Sequence, residues 1–83
     1  MTKTITQNEA FETSDLGLAT ALISGNYKLA SLKRIAHNKV QFVFLFTASI
    51  NKTIEDYWSD DLKVNARTYF DNLKALKNRI YSN

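Results

Sequence analysis

The sequence predicts a single small α+β domain in which an antiparallel β-hairpin packs against helices, in the order α-β-β-α-α. Three observations support this fold class. Apolar residues recur three or four positions apart over residues 14–25 and 65–81, which is typical of amphipathic helices. Between these segments, "KVQFVFLF" (residues 39–46) is rich in the aromatic and β-branched residues that favour strands. A chain of 83 residues has room for one hydrophobic core, so we expect an N-terminal arm over residues 1–10 and one domain over residues 11–83.

The first helix is predicted from a capping sequence that is followed by apolar residues at helical spacing. Thr13 or Ser14 suits the N-cap position, and Asp15 in the first turn complements the helix dipole. The residues predicted to face the core are Leu16, Ala19, Leu22 and Ile23. Gly25 is expected to end the helix as its left-handed C′ residue.

The segment from Tyr27 to Ala36 fits either a helix or a strand. Its apolar residues have helical spacing; they are Leu29, Leu32, Ile35 and Ala36. However, the strand that follows needs a partner for its backbone N–H and C=O groups. We favour a hairpin, in which a β-bulge reconciles the spacing of three and Asn38 adopts a positive φ in a turn at residues 37–39. The competing strand partner is "TKTIT" (residues 2–6).

Side chains alternate between two faces along the second strand. One face is wholly apolar and should pack on the helices; it consists of Val40, Phe42, Phe44 and Phe46. The other face is half apolar; it consists of Gln41, Val43, Leu45 and Thr47. Because two strands cover only one side of a small core, we expect a partner or a neighbouring element to cover this second face.

Two helices are predicted after the hairpin. Ser49 is suited to cap a short helix that runs to Trp58. The last helix is expected to begin with Asn65 as N-cap, with Val64 and Tyr69 as a hydrophobic staple. Its predicted apolar arc consists of Ala66, Tyr69, Phe70, Leu73, Leu76 and Ile80. The basic residues beside that arc are Lys63, Arg67, Lys74 and Lys77, with Tyr81 near the helix end.

Several short motifs resemble a family of small stand-alone domains of unknown function that occurs in phages, bacteria and archaea. The motifs are Thr13-Ser14-Asp15-Leu16, Phe42 to Phe44, Tyr57-Trp58, Ala66, Tyr69-Phe70, Leu73-Lys74 and Leu76-Lys77. The resemblance spans about residues 10 to 82. These positions are mostly helix caps and apolar residues, so the resemblance supports the fold and the hairpin but implies no activity.

The residues that catalysis usually requires form no recognisable pattern. His37 is the one histidine and falls in a predicted turn, so it has no second imidazole for a metal site. The acids at positions 55, 56, 60 and 61 do not have the spacing of a calcium loop. Without cysteine there is no thiolate metal site. We expect a protein that is not an enzyme and that needs no cofactor or metal.

The sequence also predicts a cytoplasmic protein. The N-terminus lacks the apolar core of a signal peptide, and no apolar run approaches the ~20 residues of a membrane span. A chain free of cysteine also suits a reducing compartment.

Surplus apolar surface predicts a small module that acts by protein–protein contact, with another protein or with a second copy of itself as a homo-oligomer. The strand face that the hairpin leaves uncovered and aromatic residues near element ends would form the contact. The predicted contact residues are Val43, Leu45, Tyr27, Trp58 and Tyr81.

Uneven charge supports an alternative prediction, nucleic-acid binding. Residues 17–53 contain no acid, the net charge is +3 and the isoelectric point is about 9.3. The basic hairpin and one flank of the last helix would contact phosphates. The residues of this alternative are Lys33, Arg34, Lys39, Lys63, Arg67, Lys74 and Lys77.

Overall fold

The computed structural model describes residues 10–82 and has three strands and three helices. In chain order these are β1 (Ala10–Thr13), α1 (Leu16–Ser24), β2 (Leu29–Ala36), β3 (Lys39–Leu45), α2 (Ala48–Trp58) and α3 (Ala66–Tyr81). The predicted α+β class and the order α-β-β-α-α are confirmed, with β1 as an additional strand in front. The predicted arm (except Ala10, which begins β1) and the competing strand "TKTIT" lie outside the described residues.

The sheet has the strand order β1-β3-β2, and both pairings are antiparallel. The predicted hairpin is β2 and β3, and the predicted bulge is present as two shifts of register along β2. Ala36 pairs with Lys39, so the turn contains only His37 and Asn38. The prediction of a positive φ at Asn38 is wrong: within the described residues, non-glycine residues with positive φ are Asn26 and Asp60.

Helix α1 begins and ends later than predicted, because its N-cap is neither Thr13 nor Ser14 and its left-handed residue is not Gly25. Asp15 is the N-cap, because its carboxylate accepts a hydrogen bond from the backbone N–H of Leu18 at 3.0 Å. Thr13 instead accepts from the N–H of Asp15 at 3.0 Å and shapes the approach to the helix. At the other end Gly25 has a φ of −89°, and the left-handed residue is Asn26, with a φ of 76°.

The later helices are capped by side chains of the expected types. Thr47, rather than the predicted Ser49, caps α2 by accepting from the N–H of Ile50 at 3.2 Å. Asn65 caps α3 as predicted and accepts from the N–H of Thr68 at 2.9 Å. None of the helices in residues 10–82 combines the length and the apolar character that a membrane span requires.

The hydrophobic core lies between the helices and the inner face of the sheet. Its buried residues are Leu18, Ala19, Leu22, Val40, Phe42, Phe44, Ile50 and Leu76. The predicted inner face of β3 is therefore correct, with Phe46 partly buried just beyond the strand end. The outer face of the sheet and the outward side of α3 lie outside this core.

Candidate functional site

The outer face of the sheet is crossed by a polar network. The carboxylate of Glu12 on β1 lies 3.6 Å from the ammonium group of Lys33 on β2. It also accepts a hydrogen bond from the side-chain amide (Nε2) of Gln41 at 3.2 Å. The Ser14 hydroxyl donates to the side-chain oxygen Oε1 of Gln41 at 2.9 Å. Val43 lies opposite Glu12 and Ser31 on the neighbouring strands and is only 8% exposed. Val43 was predicted as a contact residue, but at this position it offers little exposed surface to a partner.

The other predicted contact residues differ in their surroundings. Leu45 and Trp58 are each 62% exposed, at the ends of β3 and α2, and Tyr81 is 77% exposed at the end of α3. Tyr27 is half-buried, and its hydroxyl hydrogen-bonds to Ser49 at 2.9 Å. Tyr27 and Tyr81 line two different cavities.

Helix α3 carries a stripe of exposed cations and aromatic rings. The stripe consists of Arg67, Phe70, Lys74, Lys77 and Tyr81, which are three or four residues apart and so share one side of the helix. It is about 21 Å long at the rise of an α-helix. Phe70 was predicted to face the core but is 56% exposed, and the ammonium group of Lys74 lies 5.3 Å from its ring centre. Ala66, also placed in the apolar arc, is exposed as well.

The C-terminal end of this stripe meets the turn of the β-hairpin. Arg34 donates a hydrogen bond to the backbone carbonyl of Ile80 at 2.7 Å, which ties β2 to the end of α3. Tyr81 lines a cavity of about 360 Å³ together with Arg34, His37 and Lys39. Across the part of the chain that the structure describes, no carboxylate lines this cavity.

We define the basic–aromatic track as the stripe on α3 together with the two cations of the hairpin end. Its members are Arg67, Phe70, Lys74, Lys77, Tyr81, Lys39 and Arg34. Five of the seven basic residues predicted for nucleic-acid binding belong to it. The other two do not, because Lys33 pairs with Glu12 on the outer sheet face and Lys63 precedes α3.

The aromatic members of the track were not assigned to it from the sequence. Phe70 was placed in the core and Tyr81 among the protein-contact residues. The spacing 67-70-74-77-81 could have predicted this arrangement, since residues three or four apart share one side of a helix and both rings therefore align with the three cations. The exposed Asp71 lies beside the stripe and is the acid nearest to it in the helix sequence.

Tyrosine hydroxyls surround Gly17 near the start of α1. Tyr69 donates to the Gly17 carbonyl at 3.2 Å, and a Cβ atom at position 17 would lie 2.6 Å from the Tyr57 hydroxyl. Burial raises the pKa of Tyr57, and the nearby Asp15 carboxylate and Tyr69 raise it further. These groups join α1, α2 and α3, so we assign them a structural role.

The remaining polar groups provide neither an unusual nucleophile nor a metal site within residues 10–82. The hydrogen bond that Lys52 donates to Asp56 at 2.7 Å raises the pKa of this exposed lysine. Among residues 10–82, no group of three or more histidine and acidic side chains is arranged to hold a metal ion.

The comparisons with known proteins identify a family. A family model described as "Domain of unknown function (DUF5659)" matches residues 8–82. No curated protein and no solved structure gave a significant match. The predicted resemblance to a small domain family of unknown function is confirmed by this match.

Proposed function

We propose a binding function for this chain, which belongs to the family described as "Domain of unknown function (DUF5659)". The chain holds single-stranded nucleic acid along its basic–aromatic track and catalyses no reaction. One observation carries this proposal: five cations and two exposed aromatic rings follow one another from α3 to the hairpin turn. A positively charged path with aromatic stacking platforms is the usual design of proteins that bind single strands.

The cations of the track are available for phosphate groups. Within residues 10–82, the ion pairs involve Lys33 and Lys52, neither of which belongs to the track. Arg34 uses one N–H on the carbonyl of Ile80, which fixes the guanidinium group and leaves its other donors for a ligand. Phosphate contacts of this kind supply affinity without reading sequence.

The exposed rings favour a single strand over a duplex. Phe70 and Tyr81 offer flat surfaces on which unpaired bases can stack, whereas the base faces of a duplex are already stacked on each other. The ammonium group of Lys74 lies over the Phe70 ring, 5.3 Å from its centre, so a base that stacks on this face displaces a flexible cation, which is then free to contact a phosphate. Such stacking contributes about 1–3 kcal/mol per base.

We expect the full chain to bind a fluorescent single-stranded oligonucleotide of mixed sequence with a steep salt dependence. Five phosphate contacts predict a slope of log K against log salt of about −3.5, and a duplex of the same sequence should bind more weakly. Fluorescence anisotropy over a salt series, with DNA and RNA strands, measures both. Absence of binding at about 20 mM salt, or an affinity that does not change with salt concentration, would contradict the proposal.

A second candidate function, contact with a protein partner or a second copy, is favoured by exposed apolar residues outside the track. Leu45 and Trp58 are each 62% exposed, and nucleic-acid binding gives them no role. For self-association, light scattering should report a mass that rises above 9.5 kDa with concentration, and Trp58→Ser should reverse the rise. A monomer at every concentration would exclude the homo-oligomer.

A further inference from the structure

A cavity lies on the flank of α3 opposite to the track. It is an open depression of about 510 Å³ between the end of α1, the start of β2 and α3. We call it the α1–α3 groove. Its apolar lining consists of Ile23, Tyr27, Leu29, Ala75 and Leu76. Its polar lining consists of Asn26, Lys28, Asn72 and Arg79.

The apolar part of the groove is fixed by the fold. Leu76 is buried in the core, and Ile23, Tyr27 and Leu29 pack against that core while remaining partly exposed. The Tyr27 hydroxyl is held by Ser49 at 2.9 Å and by Thr53 at 3.2 Å, so Tyr27 borders the groove with its ring. A ligand would therefore meet a preformed apolar wall.

The polar groups of the groove favour a negative charge. Lys28 and Arg79 both line it, and no carboxylate does so among the residues that the structure describes. Neither cation has an ion-pair partner within residues 10–82. The Asn72 amide donates to Ser24 at 3.1 Å, and Ser24 donates to the Thr20 carbonyl at 2.8 Å, so this amide is held in place at the groove.

We propose that the α1–α3 groove binds a small apolar carboxylate, an acid with a hydrocarbon chain or ring and a single negative charge. The volume falls within the ~300–1,000 Å³ range of small-molecule sites, which are typically apolar with a few polar groups that orient the ligand. Arg79 can receive the carboxylate through two parallel hydrogen bonds, and Lys28 adds a second positive charge. This inference does not depend on the proposed nucleic-acid binding.

The test compares decanoate, its uncharged counterpart decanol, and acetate, each titrated into the ¹⁵N-labelled full chain. Decanoate should saturate one site and shift the amide signals of Leu29, Asn72 and Leu76, with decanol about tenfold weaker or more and acetate without effect. Arg79→Gln should reduce decanoate affinity to that of decanol. Lys77→Gln removes the same charge from the track and should leave decanoate affinity unchanged.

A second variant tests the groove by shape. Ala75 lies on its exposed rim, so Ala75→Phe should fill the space and abolish binding of decanoate and decanol alike, while oligonucleotide affinity and circular dichroism stay as in the wild type. Equal affinities for decanoate and decanol, non-saturating adsorption, or full decanoate binding by Arg79→Gln would overturn the proposal. Binding of an acidic apolar peptide at the groove, without binding of decanoate, would also overturn the proposal.

Discussion

Replacing Phe44 by alanine is expected to lower the free energy of unfolding by about 3–5 kcal/mol. Phe44 is 0% exposed on the central strand, between Phe11 on β1 and Leu29 on β2. Loss of its ring removes buried apolar surface and leaves a cavity that both neighbouring strands and the helices line. A domain of this length has a total stability of about 4–12 kcal/mol, so this loss is a large fraction of the total.

Urea denaturation followed by circular dichroism measures this loss. Leu45→Ala is the matched control, because Leu45 is the next residue of the same strand but is 62% exposed. It should change the free energy of unfolding by less than about 1 kcal/mol. If Phe44→Ala were as mild as this control, the inner face of the sheet would not be the core of the domain.

The double substitution Lys74→Gln and Lys77→Gln should lower oligonucleotide affinity by about 100-fold at about 20 mM salt, because each phosphate contact on a single strand contributes about 0.7 to the salt slope. The slope itself should flatten by about 1.4. Both lysines are exposed on α3, so stability should remain within about 0.5 kcal/mol of the wild type. Anisotropy titrations at several salt concentrations measure affinity and slope together.

A charge-matched control separates position from net charge. Lys28→Gln with Arg79→Gln also removes two positive charges, but these side chains line the α1–α3 groove on the other flank of α3. This control should keep the oligonucleotide affinity within about threefold of the wild type, since it removes no phosphate contact. Equal losses in the two double variants would mean that diffuse positive charge, rather than the track, attracts the strand.

The hairpin could be predicted because its signal is local. The aromatic and β-branched residues of β3 need a paired neighbour, and the segment just before them supplies one. Strand β1 could not be predicted in this way. Its four residues, Ala10–Thr13, carry little strand signal, and they pair with Phe42–Leu45 some thirty positions later.

The errors at the helix ends have a common physical cause. Thr13, Ser14 and Asp15 are all good N-cap residues, so sequence alone does not decide among them. Likewise, Gly25 and Asn26 both tolerate the left-handed conformation, so sequence alone does not decide between them. In the structure Asn26 adopts it, and the next residue, Tyr27, donates its backbone N–H to the Leu22 carbonyl at 3.0 Å.

The candidate site was only partly predictable, because exposure depends on tertiary packing. The cations of α3 were identified from the sequence, but Phe70 was assigned to the core by its hydrophobicity. Tyr69 takes the inward position instead, where its hydroxyl donates to the Gly17 carbonyl at 3.2 Å. In the same way, alternation placed Val43 on the outer face correctly but did not indicate that Glu12 and Lys33 would flank it there.

The binding surface itself is tested most directly by NMR chemical-shift mapping with a short single strand. Amide signals of the ¹⁵N-labelled chain are followed as the strand is added at low salt and again at high salt. The proposed function predicts saturable shifts over the track flank of α3 and the hairpin end, which shrink as salt rises. Shifts that map to the α1–α3 groove or the outer sheet face, or no shifts at low salt, would contradict it.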